Sequence, residues 1–130
     1  MEKSLFRTCM VVFLLVVALV SCTSSNYMVG TDQSYMSLED QRKALQAVEV
    51  HAALPENCTI MGEVDAARCH RRFTQKSPTP DLVVIDMQVA AYARGADGIC
   101  DVTVTQRSAL LEDCWYMLDG RATMFKRNKP

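Results

Sequence analysis

No excess of charge marks this chain. Its 130 residues carry 14 Lys+Arg against 15 Asp+Glu, a formal net charge of −1. The basic surplus that would favour nucleic acid is missing, and so is an acidic tail. Histidine is scarce: His51 and His70 are the whole supply of imidazole bases for activating a nucleophile. A histidine in either setting, a strand end or a position beside a cysteine, is more often a surface or satisfied residue than a catalytic one. There is no C-x-x-C, no phosphate loop and no zinc-protease helix. We therefore expect no enzyme, no catalytic residue, no cofactor and no metal. The chain is also short, with room for one domain at most.

What is present is concentrated at the start. A short segment with net positive charge, Met1 to Thr8, precedes an uninterrupted apolar run from Cys9 to Val20, and polar Thr23-Ser24-Ser25-Asn26 closes it. Those 12 residues would make a helix of about 18 Å, short of the roughly 30 Å of a bilayer core. A secretory signal is the better reading than a permanent span. Leu19-Val20-Ser21-Cys22 looks like a bacterial lipobox, which implies cleavage before Cys22, diacylglycerol on its thiol and acylation, as by palmitate, of its amine. The alternative is an ordinary signal peptide with Cys22 a spare thiol. Two or more acyl chains hold a protein stably where one does not. In Gram-negative lipoproteins an Asp after the lipidated cysteine signals retention in the inner membrane. Thr23 stands there instead, implying the outer membrane. The expected division is signal peptide 1–21, lipidated N-terminus and tether 22–37, and periplasmic domain 38–130. The signal takes Glu2, Lys3 and Arg7 with it, so the net charge moves only from −1 to −2; the anchor is lipid, not a polybasic patch.

Six cysteines in so short a chain are many. Cys9 leaves with the signal and Cys22 takes the lipid. Cys58, Cys69, Cys100 and Cys114 remain, an even set in an exported domain, which reads as two disulfides with three possible connectivities. A metal site using Cys69 and His70 is the poorer alternative, because the four cysteines lack ligand spacing.

The tether from Thr23 to about Ser37 is polar and without period; its 14 residues from Thr23 to Met36 can reach about 50 Å when extended. Ser37-Leu38-Glu39-Asp40 opens a short helix, with Ser37 as cap. Gln46 to His51 alternates and predicts a strand with Val48 and Val50 inward. Pro55-Glu56-Asn57 is a turn. Cys58 to Val64 is a second strand, with Gly62 at a bulge. Arg68 to Pro80 reads as a loop, and its Arg68, His70, Arg71 and Arg72 as a solvated basic cluster, with anionic headgroups or glycan as the other reading. Thr79-Pro80-Asp81 starts the clearest helix, with Leu82, Ile85, Val89 and Tyr92 on one face, Ala90 and Ala93 beside them, and Gly95 as a left-handed stop. Ile99 to Thr105 and Trp115 to Phe125 are strands, the latter bent at Gly120. Asp97 is expected to cap its turn, and Met61 and Met87 to fill the core. The order β-β-α-β-β suits an α+β fold: a small, mainly antiparallel sheet with one helix across it.

Three stretches, taken in order, carry a resemblance: Met61-Gly62-Glu63-Val64 leading to Cys69, then Ala90-Ala91-Tyr92-Ala93-Arg94-Gly95-Ala96-Asp97-Gly98, then Cys114-Trp115-Tyr116 with Gly120-Arg121-Ala122. From about Val48 to Phe125 the chain resembles the RcsF-like outer-membrane lipoproteins, which feed envelope stress into the Rcs phosphorelay, and related small lipoproteins with a YbjQ-like domain. The resemblance implies a small disulfide-stapled α+β fold and a bond between Cys69 and Cys114. The family's second bonded pair falls at about Val104 and Leu118 and is missing; Cys58 and Cys100 are expected to replace it by joining neighbouring strands. The family's long proline-rich linker is missing too. The expected function is a lipid-anchored periplasmic domain that binds other envelope proteins, either as a stress sensor or adaptor or as a structural or assembly lipoprotein without signalling output. A self-associating, metal-binding domain, suggested by the YbjQ-like fold alone, is a third reading.

Overall fold

The structure, a computed structural model, describes residues 36–129 except 73 and 75. It is α+β, with the element order α1 (Leu38–Ala47), β1 (Glu49–His51), β2 (Cys58–His70), α2 (Pro80–Ala93), β3 (Gly98–Ala109), a 3-10 turn (Leu110–Glu112) and β4 (Cys114–Arg127). The strands form one sheet in the order β1-β3-β4-β2. β4 pairs antiparallel with β2 and β3, and β1 runs parallel to β3 over only three residues, Gly98 to Cys100. Among the described residues β2 and β1 are therefore the edges, and β3 has no neighbour on its outer side beyond Cys100. Among the described residues no helix is long and apolar enough to cross a membrane.

α1 begins where Ser37 accepts a bond from the Asp40 N–H at 3.1 Å and donates its own hydroxyl to the Asp40 carboxylate at 2.7 Å, satisfying an N-terminal donor. It runs to Ala47, so the alternation from Gln46 to His51 is not one strand: Val48 is a buried helix cap and Val50 is 46% exposed. The backbone of Val48 still donates to Ala44, and a local helical bond outweighed the short apolar alternation.

α2 packs across the sheet and covers one face. Val83, Met87, Ala90 and Ala91 face Val64, Ala66, Leu118 and Ala122. Leu82, Ile85 and Tyr92 are only partly buried and Ala93 is exposed, so the buried stripe is rotated from the expected one. Nearly every position in this helix is apolar, which leaves its period weak. Small residues on both sides then decide the contact. A Cβ on Gly120 would lie 2.4 Å from Val83 Cγ1; its absence lets helix and sheet close up, and β4 passes Gly120 without a bulge. Thr79 stands at the N-cap without a side-chain bond, and Pro80 and Asp81 fill the first turn. Gly95 stops the helix at φ +77°, a conformation glycine adopts without strain.

β2 extends past the expected strand to His70 and takes Arg68 out of the loop. Arg68 points to the helix side and binds Asp86 through two bonds of 2.5 and 2.7 Å. Asp86 is 2% exposed, and a buried carboxylate of this kind needs its cation. The bulge at Gly62 falls between Ile60 and Met124's partner position, as expected, with Met61 exposed rather than in the core; Met87 is fully buried.

Candidate functional site

Among the described residues no helix lies on the face of the sheet away from α2. Strand alternation places Glu63, Asp65 and Ala67 there from β2, Thr103, Thr105 and Arg107 from β3, and Asp119, Arg121 and Thr123 from β4, opposite the residues packed under α2. Together they line an open trough of about 710 Å³. Its chemistry is hydroxyl, carboxylate and guanidinium. Arg121 and Glu63 approach to 4.0 Å, both well solvated. Among the described residues neither histidine nor cysteine lines it, and its hydrogen-bonding groups come from threonine, aspartate, glutamate and arginine. Among the described residues no group of three or more His, Cys, Asp or Glu could hold a metal ion.

One end of the trough is closed by a covalent bond. Cys69 and Cys114 form a disulfide with a Cα–Cα distance of 5.6 Å across 45 residues. Cys69 lies near the end of β2, and Cys114 opens β4 opposite Ala109. With Ala109, Met117 and Ala67 they make a small second core on the open face. Arg107 fences this core from the trough. Its guanidinium donates to Glu112 at 2.6 and 3.0 Å and to Asp119 at 2.5 Å. The two carboxylates hold the guanidinium more firmly in its charged form, and Arg107 in turn holds the Glu112 carboxyl below its ordinary pKa. On the opposite face, His70 is 8% exposed and stacks on Tyr116 at a centroid distance of 5.0 Å. Its Nδ1 has no hydrogen-bond partner. His70 is thus a packed residue of β2, neither solvated nor satisfied at that atom.

The other end is held without a covalent bond. The Asp97 carboxylate accepts from the Arg127 backbone N–H at 2.9 Å and from Lys126 Nζ at 3.0 Å. Its own N–H donates to Phe125, and its carbonyl accepts from Glu49. The Arg127 N–H, and then the Lys126 ammonium, hold the Asp97 carboxyl below its ordinary pKa. Asp97 therefore does more than cap a turn: it ties β1 and the end of β4 together. His51 ends β1 with its Nε2 2.8 Å from Glu49 Oε2, and its ring meets Phe125 edge-on. Glu49 also pairs with Arg127. Phe125 lies across Gly98, where any Cβ would collide with the ring.

Cys58 and Cys100 do not form the second disulfide. Both are free thiols, Cys58 half-buried and Cys100 buried. The expected bond required neighbouring strands, but β4 separates β2 from β3. Two strand spacings come to about 9.6 Å, beyond the roughly 7 Å that a disulfide tolerates between α-carbons. Their registers differ as well, Cys58 facing Arg127 and Cys100 facing Thr123. Burial, and next the Asp101 carboxylate, push the Cys100 thiol pKa up, which makes it a poor nucleophile. Asp101 sits beside it at φ +53°, at an irregularity in β3 that sequence reasoning missed. The run Ile99 to Thr105 reads as plain strand, and only the aspartate, tolerant of this conformation, could have signalled it.

Cys22, the lipobox and most of the tether lie outside the described residues. No family model and no curated protein matches the chain, so the likeness to RcsF-like lipoproteins stands on its three sequence stretches.

Proposed function

We propose that this chain is an outer-membrane lipoprotein, anchored by acyl chains on Cys22, whose periplasmic domain binds other envelope proteins through the open face of its sheet. The observation that carries the binding role is the asymmetry of the sheet. α2 seals one face, while the other keeps a trough of about 710 Å³ lined by hydroxyls and charges. A surface of this chemistry suits a hydrated, polar protein contact. The compartment is supported by the lipobox in the sequence and by the Cys69–Cys114 disulfide, a bond that persists where thiols are oxidised.

A stress sensor or adaptor of the RcsF type is the reading favoured by the Cys69–Cys114 bond, the pairing that the resemblance implies. The alternative is a structural or assembly lipoprotein without signalling output. Photo-crosslinking in cells separates them. A crosslinker at Thr105 or Arg121, in the trough, is compared with one at Asp81, exposed on α2. Capture of an inner-membrane signalling protein from the trough positions alone supports the sensor. Capture of only barrel or cell-wall proteins supports the structural role, and no trough-specific product defeats the binding role altogether. The anchor is tested separately: Cys22→Ala abolishes incorporation of labelled palmitate and leaves an uncleaved or soluble chain.

A further inference from the structure

The hairpin joining β3 to β4 ends in a convex apolar apex that belongs to neither hydrophobic cluster. Leu110 is 67% exposed and Leu111 is 104% exposed, with Trp115 at 49% a few residues on. The 3-10 turn and a left-handed Asp113 hold the apex in shape, the Asp113 N–H donating to the Leu110 carbonyl at 3.4 Å. Cations stand beside it. Arg71 shares a shallow hollow of about 230 Å³ with Leu110, Asp113, Cys114 and Trp115, and Arg72 is exposed next to it in the chain. The Cys69–Cys114 bond clamps the Arg71-Arg72 segment to the base of the apex. Glu112 is paired with Arg107, and Asp113 is the acidic residue that shares the hollow with Arg71.

We propose that this apex is a membrane contact separate from the N-terminal anchor. Leu110 and Leu111 enter the acyl boundary of an anionic phospholipid bilayer, Trp115 lies at headgroup level, and Arg71 and Arg72 meet the lipid phosphates. The arrangement fits the physics of a bilayer surface: apolar groups at the most projecting point, an amphipathic indole behind them, and cations at the level of the headgroups. Charge complementarity favours an anionic surface. The reach of the preceding chain permits it. The apex stands at the far end of β3 from β1, about 40 Å along a strand of 12 residues, and the 14 residues from Thr23 to Met36 are enough chain to span at most about 50 Å.

Trp115 is the chain's single tryptophan, so its fluorescence reports the apex alone. The full chain is reconstituted into vesicles of phosphatidylethanolamine and phosphatidylglycerol, with or without brominated acyl chains, and into vesicles of phosphatidylcholine alone. In the anionic vesicles Trp115 emission shifts to the blue and the bromines quench it. Arg71→Gln with Arg72→Gln lowers the docked-to-free ratio roughly 30-fold. Leu110→Ser with Leu111→Ser, both at exposed positions, removes the quenching while leaving the far-ultraviolet circular dichroism unchanged. Emission indifferent to bromine, or quenching that survives the leucine substitutions, overturns the proposal. So does a blue shift that appears only when envelope proteins are added, which would make the apex a protein contact. Lipidation of Cys22 is read from the mass of the same sample, so failure of the anchor and failure of the apex are told apart.

Discussion

The two ends of the sheet carry two cysteines each in their vicinity and are held by opposite means. At one end Cys69 and Cys114 are bonded on the adjacent strands β2 and β4. At the other, Cys58 and Cys100 remain thiols because β4 runs between their strands, and the carboxylates of Asp97 and Glu49 do the tying. An even number of cysteines does not by itself make two disulfides. Strand adjacency decides which of them can bond, and adjacency is a property of topology.

The comparison breaks most visibly at the covalent end. Cys69→Ser with Cys114→Ser removes a closed loop of about 45 residues and costs about 4 kcal/mol in the chain-entropy model. Reductant on the unmodified chain gives the same drop in the urea midpoint, whereas the double substitution of Cys58 and Cys100 adds no sensitivity to reductant. Next in size is Arg68→Met, which takes the two-pronged guanidinium away from the buried Asp86 carboxylate and costs about 3 kcal/mol by the same measurement. Gly120→Ala follows, at about 2 kcal/mol, because the added methyl meets Val83 and forces helix and sheet apart. The ionic end responds less, and through pH. Because the Asp97 and Glu49 carboxyls are held below their ordinary values, their stabilisation is present above the ordinary carboxylate range and is lost as pH falls through the folded pKa values. Asp97→Asn costs roughly 1 kcal/mol at neutral pH, discounted for exposure, and flattens the acid limb of the stability curve. Smallest is Cys58→Ser, within about 0.5 kcal/mol. Non-reducing peptide mapping of the same material finds one bridged pair; a Cys58–Cys100 peptide would remove the contrast between the ends.

What was legible in the sequence was local. The Ser37 cap, the Gly62 bulge and the Gly95 stop each act within a few residues, and each is in place. The Cys69–Cys114 bond came from the resemblance. What was misread depends on distant partners. Arg68 and His70 look like loop residues until Asp86 and Tyr116 arrive from α2 and β4 to accept them on a buried face. The α2 stripe was chosen by Gly120, 30 or so positions away, and not by its own weak period. The trough was invisible for the same reason: Asp65, Thr105 and Arg121 become neighbours only when β4 enters between β2 and β3.

The irregularities in β2 at Gly62 and in β3 after Cys100 face neighbouring stretches of β4, Met124–Phe125 and Arg121–Thr123. Among the described residues, β2 and the part of β3 beyond Cys100 have no strand paired on their outer side. Both strands therefore kink close to one another along the sheet, and the local twist rises there. A straight foreign strand can align with only part of either margin before its register is lost. That mismatch is a safeguard against edge-to-edge pairing between copies, built from backbone shape without any change in the residues that form the core.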